Sequence, residues 1–220
     1  PYGSNFIAAD VGSSAFNGSS SLTIGSQLAS IQNGNWVGRD FELAYNVTYS
    51  SPNAALGSIK GLQGGGSVLT EVGAGLKISA ASGQDFSGAI SGAGSVTLLT
   101  GSQTLSGTNA YAGTTSVSGG TLTALSAGAL SSSTAVTVAS GATLNVNASS
   151  QIGSLAGAGT VTTTSTSGPV SLNTGADNSS TTFSGQIKDG SAAQLALSKT
   201  GTGTLTLSGS NTYSGGTTIS

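Results

Sequence analysis

This chain of 220 residues has few side chains that could perform catalysis. Two of its acids lie close together in the segment 35–49, which also contains the only Arg of the chain. Asp40 and Glu42 are one position apart in NWVGRDFELAYNVTY, so they would share one face of a strand. A carboxylate pair can hydrolyse a glycosidic bond, and carboxylate oxygens can bind calcium. Beside Arg39, however, two acids also suit a strand edge where charge discourages pairing with another chain. We favour this second interpretation and expect no catalytic residue, no metal site and no cofactor.

The composition excludes several classes of function. The chain has no His, no Cys and no Met, and it has only five Lys or Arg and seven Asp or Glu. The commonest general base, every thiol nucleophile and the usual ligands of zinc, copper and iron are therefore missing. With a net charge of -2 and no basic cluster or long apolar run, we expect no nucleic-acid partner and no membrane insertion. We do not expect an enzyme. Because Met is absent, we expect a mature form or an excised piece.

The stretch that contains Trp36 is the strongest candidate for a partner surface. It contains the only Trp of the chain, and its apolar residues alternate from Phe41 to Tyr49, which predicts a longer strand. Aromatic anchors are typical of binding surfaces. The candidate partner surface comprises Trp36, Arg39, Asp40, Glu42, Tyr45 and Tyr49. Its ligand would be on a host or a neighbouring cell, or a carbohydrate bound or cleaved near Trp36. The interpretation that we favour for this stretch is a cap or edge strand that covers the first coil of a larger structure.

Apolar residues recur in pairs one position apart along most of the chain. Examples are Leu76/Ile78 and Val96/Leu98, with Lys or Thr between the two members. Such alternation predicts strands with one buried face, and clusters of Gly, Asn, Asp and Ser separate the pairs as turns do. No stretch keeps a helical periodicity without an interrupting glycine. The pattern therefore predicts an all-β protein.

An internal repeat indicates how these strands are arranged. LSGTNAYAGTTSVS, which begins at Leu105, matches LSGSNTYSGGTTIS, which begins at Leu207, and FSGAI from Phe86 matches FSGQI from Phe183. Repetition of many short strands favours the stacked coils of a β-solenoid over a sandwich. We predict a cap or edge region at 1–56, continuous with the solenoid, a first repeat unit at 57–152, and an incomplete second unit at 153–220.

Two further features bear on the solenoid surface. Asn109 and Asn211 occupy the same position of the repeated turn, and we expect such asparagines to stack into a ladder.

Thr-x-Thr segments occur at Thr121/Thr123, Thr160/Thr162 and Thr204/Thr206. A flat array of Thr on a solenoid can order water and bind ice, but it requires the same spacing from coil to coil. The uneven intervals in the sequence argue against an ice-binding face.

The segment GTGTLTLSGSNTYSGGTTIS resembles the passenger-associated repeat of autotransporters, also called the autotransporter-associated β-strand repeat. The matching positions are Gly201, Gly203, Thr204, Leu205, Leu207, Gly209, Asn211, Thr212, Tyr213, Gly215, Gly216, Thr217, Thr218 and Ile219. The segment around Asn109 and Tyr111 is a more divergent copy. The resemblance implies a right-handed parallel β-helix outside a Gram-negative bacterium. It does not imply one activity, because such passengers include adhesins, aggregation factors and carriers of enzymes.

From the repeat and the scarcity of catalytic groups, we expect a structural or adhesive protein of the cell surface. Its solenoid would serve as a stalk, a display scaffold or the subunit of a filament. A strand edge formed by Thr217, Thr218, Ile219 and Ser220 could pair with another chain and allow head-to-tail stacking. The remaining alternative is a secretion or folding aid within a longer passenger.

Overall fold

The computed structural model describes residues 59, 61–70, 72–73, 75–80 and 83–220, and the backbone of 21–24, 31–32, 35–36 and 47–50. These residues form 24 short strands, and the described part of the chain contains no helix. The strands are β1 (Ser21–Ile24), β2 (Ile31–Gln32), β3 (Asn35–Trp36), β4 (Val47–Ser50), β5 (Ser67–Thr70), β6 (Gly75–Ser79), β7 (Gln84–Phe86), β8 (Ala89–Gly92), β9 (Ser95–Thr100), β10 (Ser102–Leu105), β11 (Ala110–Tyr111), β12 (Thr115–Val117), β13 (Thr121–Ala124), β14 (Ala135–Val138), β15 (Thr143–Val146), β16 (Ser150–Gln151), β17 (Ser154–Gly157), β18 (Thr160–Thr162), β19 (Val170–Thr174), β20 (Thr181–Phe183), β21 (Gln186–Ile187), β22 (Leu195–Lys199), β23 (Leu205–Leu207) and β24 (Thr217–Ile219).

From β6 onward, parallel pairing stacks the strands into successive coils. Sheet I has seven strands in the order β6-β9-β12-β14-β17-β20-β23, and sheet II has six in the order β7-β10-β13-β15-β18-β21. Sheet III has a lower part, β1-β4-β5-β8-β11, and an upper part, β16-β19-β22-β24, separated by turns at 125–134. Each coil thus adds one strand to sheet I and, in most coils, one to each of the others. The predicted all-β solenoid is confirmed.

The core lies between the three sheets and consists of the inward-facing members of each strand. Leu76 and Ile78 of β6 are buried, as are Val96 and Leu98 of β9, so the predicted apolar pairs point inward. Parallel register places each pair directly above the pair of the coil below, as Leu76 pairs with Val96. Burial of these stacked columns removes apolar surface from water and provides the main stabilising free energy of the coils.

The coils differ in length, yet the strands remain in register. The coil step from Ile90 to Asn109 takes 19 residues, whereas the step from Ile187 to Asn211 takes 24. Longer steps place their extra residues in loops outside the strands, such as 163–169 between β18 and β19 and 188–194 between β21 and β22. Uneven spacing in the sequence is therefore compatible with regular stacking in space.

Candidate functional site: the repeated two-coil clamp

Asn109 lies just before β11 and bonds its own coil to the coils on either side. Its Oδ1 accepts a hydrogen bond of 2.7 Å from the N–H of Ile90, and its Nδ2 donates one of 2.6 Å to the carbonyl of Ala129. Its backbone N–H donates to the carbonyl of Gly128 at 2.8 Å. The side chain is 5% exposed, so these bonds satisfy backbone groups that water does not reach.

Asn211 makes the equivalent contact in the second copy of the repeat. Its Oδ1 accepts from the N–H of Ile187 at 2.8 Å, while its Nδ2 donates to the carbonyl of Gly209 in its own coil at 3.0 Å. The expectation that these asparagines stack on one another is wrong. The coils that begin with β12, β14, β17 and β20 lie between them, and each Asn bonds the backbone instead.

A tyrosine and a threonine form the second part of the repeated site. The hydroxyls of Tyr111 and Thr115 are 2.6 Å apart, and both side chains are fully buried. Thr115 Oγ1 also lies 3.2 Å from Thr134 Oγ1, and Thr134 donates to the carbonyl of Gly113 at 2.8 Å. Three buried hydroxyls thus connect two coils. Burial raises the pKa of Tyr111 above its ordinary value, and the hydrogen bond between Tyr111 and Thr115 opposes this only in part.

The repeated unit also contains the short segments FSG and LSG, whose apolar residues pair between coils and whose glycine allows close backbone contact. Leu105 pairs with Phe86 below it, and Leu207 pairs with Phe183 in the same manner. A Cβ atom on Gly107 would overlap the carbonyl oxygen of Gly88, so only glycine allows the backbones to approach this closely.

We call this unit the two-coil clamp. It comprises residues 86–90 with 105–115 in the first copy and 183–187 with 207–217 in the second. Sequence reasoning identified Asn109 and Asn211 but missed the roles of Tyr111 and Thr115. The spacing Asn-x-Tyr-x-x-x-Thr recurs in both copies, and this recurrence was a signal from which the pairing of the two hydroxyls could have been predicted.

The last described coil differs from the first clamp in exposure. Strand β24 pairs with β22 along one edge, and Thr217, Thr218, Ile219 and Ser220 are all exposed. Ile219 is 80% exposed, whereas Val117 at the equivalent position of the first copy is fully buried beneath the next coil. The Tyr213–Thr217 hydroxyl pair, 2.7 Å apart, is likewise exposed. The predicted association edge is therefore accessible in this structure.

The candidate partner surface near Trp36 falls largely outside the described residues. Trp36 is in β3, which pairs antiparallel with β2, and Tyr49 is in β4, which pairs in parallel with β5 of the first coil. Four of its members, Arg39, Asp40, Glu42 and Tyr45, lie outside the described residues. The partner surface, the cap and the three proposed regions of the chain stay predictions.

Two aspartates of the described coils are held by hydrogen bonds. Asp189 accepts bonds from the hydroxyl and N–H of Ser214 and from the N–H of Leu195, and these bonds lower the pKa of its carboxyl group. For Asp177, partial burial raises the pKa, but bonds from Ser154 and Ser179 outweigh it, so the pKa is lowered. Among the described residues, no three metal-ligating side chains come together.

The fold and the clamp define a parallel β-solenoid built on a recurring unit, and the comparison with known families identifies that unit. The family model of the passenger-associated-transport-repeat matches residues 100–124 and 197–220. The chain therefore carries two copies of this repeat, and the resemblance to the autotransporter passenger repeat is confirmed. No curated protein and no solved structure matched the chain. In the part that the structure describes, no helix is long and apolar enough to cross a membrane.

The matched segments contain one half of each clamp, 105–115 and 207–217, whereas 86–90 and 183–187 lie outside them. The first includes Asn109, Tyr111 and Thr115, and the second includes Asn211 and Tyr213. In this chain the repeat is thus a structural unit that fixes the packing of adjacent coils. The repeat and the solenoid together fit an autotransporter passenger.

Proposed function

We propose that this chain is part of an extracellular passenger on a Gram-negative bacterium, and that its solenoid acts as a non-catalytic stalk or display scaffold with an adhesive role. The observation that carries the proposal is the continuous stack of sheet I, whose strands run from β6 to β23 with a clamp in its second and its last coil. Each coil of a solenoid contacts only its neighbours, so the stack extends in one direction without a second domain to support it.

The surface chemistry of the coils supports a scaffold. Their outward positions are mostly Ser, Thr and Asn, such as Thr97, Ser116 and Thr137 along sheet I. Hydroxyl groups keep a rod hydrated without the counterions that a charged surface would gather.

The location can be tested on intact cells of the organism that encodes the chain. Antibodies against the purified chain should label unpermeabilised cells, and external protease should remove the label while a cytoplasmic marker stays intact. Labelling that appears only after permeabilisation would contradict the proposal.

A second element of the proposal concerns the exposed last coil. The inward positions that are buried at Tyr111 and Val117 are half-buried at Tyr213 and exposed at Ile219, so this face matches the packing of another coil. We propose that a second copy can supply that coil by head-to-tail stacking, which would form a filament.

Molecular mass and electron microscopy at several concentrations test the stacking. Rods should lengthen with concentration for the unaltered chain, and Ile219→Glu should abolish the lengthening because it places a charge in the joint. Thr218→Glu is the matched control, because Thr218 lies on the same strand one position before Ile219. Monomers at every concentration would contradict self-association.

A further inference from the structure

The outer face of sheet II carries two columns of hydroxyl and amide side chains in register. The strands β10, β13, β15 and β18 pair in parallel, and each contributes two outward positions. The first column is Ser102, Thr121, Thr143 and Thr160, and the second is Thr104, Thr123, Asn145 and Thr162. We call these eight residues the hydroxyl ladder. The uneven sequence intervals that argued against such an array are absorbed by the turns and loops between the strands.

The ladder forms a two-dimensional grid. Neighbouring strands lie about 4.8 Å apart, and successive outward positions on one parallel strand lie about 6.6 Å apart, as strand geometry requires. Seven of the eight side chains are partly exposed. Among the described residues, the hydroxyls of Ser102, Thr104, Thr121, Thr143 and Thr160 form no hydrogen bond to the protein, so they face outward as free donors and acceptors.

Asn145 provides an independent indication that the ladder takes up a ligand. Its side chain is 6% exposed, and its Nδ2 donates to Thr164 Oγ1 at 2.8 Å and lies 3.5 Å from Thr123 Oγ1. Its Oδ1 is buried and has no hydrogen-bond partner in the described structure. A buried acceptor without a donor destabilises the folded state. Because this atom is inaccessible from the surface, only a water molecule that enters the second column beside the Thr164 segment would supply that donor.

We propose that the hydroxyl ladder binds the surface of ice. A crystal of water presents oxygen atoms in repeated rows, and a repeated grid of hydroxyls and Thr methyl groups can hold water molecules at matching intervals. The four strands carry no charged and no aromatic side chain. Aromatic rings are the usual platforms for sugars, so their absence from these strands favours ordered water over a glycan. The proposal does not depend on the stalk function.

Ice binding is tested with the whole chain fused to a fluorescent protein. The probe is a slowly growing polycrystalline ice surface, and the readouts are incorporation of fluorescence and inhibition of recrystallisation. Thr121→Lys and Thr143→Lys introduce long charged side chains into the first column, and Thr137→Lys is the control on the exposed face of sheet I. Thr143→Val, which removes one hydroxyl but keeps the shape, replaces the Lys variants if they fail to fold.

The unaltered chain should enter the ice and inhibit recrystallisation, and the ladder variants should lose both effects while Thr137→Lys keeps them. Exclusion of the folded, unaltered chain from ice to the same extent as albumin would overturn the proposal. Equal loss in the control would also overturn it, because the effect would then not belong to the ladder. Binding to a glycan array that the ladder variants abolish, without entry into ice, would assign the face to carbohydrate instead.

Discussion

At the residue scale, the Asn109 side chain bonds the backbone of the coil below through Ile90 and that of the coil above through Ala129. A short amide side chain can do this because it has one acceptor and two donor hydrogens at the end of a single methylene group. No charge is needed, which agrees with a chain of very low charge content.

Removal of this side chain should destabilise the first clamp. Asn109→Ala leaves the N–H of Ile90 and the carbonyl of Ala129 without partners, and we expect a loss of about 2–3 kcal/mol in the free energy of unfolding. Asn211→Ala is the matched control, and its cost should be smaller because Asn211 lies in the exposed last coil. Urea denaturation followed by circular dichroism measures both. Equal losses would show that burial does not determine the strength of the clamp.

The tyrosine hydroxyls provide a second matched pair. Tyr111→Phe removes a fully buried bond to Thr115, and we expect a loss of about 1–2 kcal/mol. Tyr213→Phe removes the same bond from an exposed site, and we expect a loss below about 0.5 kcal/mol. Thermal denaturation of the two variants tests the difference, and a larger loss for Tyr213→Phe would contradict it.

The raised pKa of Tyr111 adds an expected pH dependence. The folded state favours the neutral phenol, so its contribution to stability is complete below pH 10.0 and decreases as the pH rises from 10.0 towards the higher folded pKa. The free energy of unfolding, measured by denaturation at several values between about pH 9 and 11, should therefore decrease more steeply with pH for the unaltered chain than for Tyr111→Phe. The same pH dependence in both proteins would show that ionisation of Tyr111 does not cause the loss of stability.

At the scale of the elements, close backbone approach between coils limits which residues the turns accept. Gly107→Ala should cost about 1–3 kcal/mol or more, because its Cβ would overlap the backbone of Gly88. Gly128→Ala is the control, since its Cβ would contact the side chain of Thr108 at 3.0 Å and that side chain can move. The free energies of unfolding compare the two, and equal costs would contradict close coil contact at Gly107.

The loop that contains Asp189 links the last two coils, and its contribution should depend on pH. Because its folded pKa lies below 3.8, the stability it provides is present above pH 3.8 and is lost as the pH falls from 3.8 towards the folded value. Asp189 is partly exposed, so solvent screening keeps the effect small. Urea denaturation across this range should show a shallower decrease for Asp189→Asn than for the unaltered chain. The same decrease in both proteins would show that Asp189 does not contribute to the pH dependence of stability.

Much of the strand arrangement could be predicted from local patterns, because Leu76/Ile78 and similar pairs report which face is buried. Local patterns could not predict the hydrogen-bond partners of Asn109 or the alignment of Thr121 with Thr143. These contacts join residues in different coils, and coil lengths vary with loops such as 163–169 whose extent has no periodic signal. Asn145 was missed for the same reason, since only the stacked strands bring it beside Thr123.

At the scale of the whole molecule, the described coils form a short rod in which the parallel strand pairing joins each coil to the next. The seven strands of sheet I extend over roughly 30 Å at the spacing of paired strands. The clamp, the exposed last coil and the hydroxyl ladder all depend on the same register between coils.

Engineered disulfides test the register most directly, because the chain has no cysteine of its own. Thr121→Cys with Thr143→Cys places two thiols on directly paired positions of β13 and β15, within the Cα separation of about 4.4–6.8 Å that a disulfide spans. Thr121→Cys with Thr160→Cys places them two strands apart, beyond that reach. Mild oxidation of the folded protein should link the first pair rapidly and leave the second reduced. Equal linking of both pairs, or linking of the second alone, would contradict the stacked solenoid.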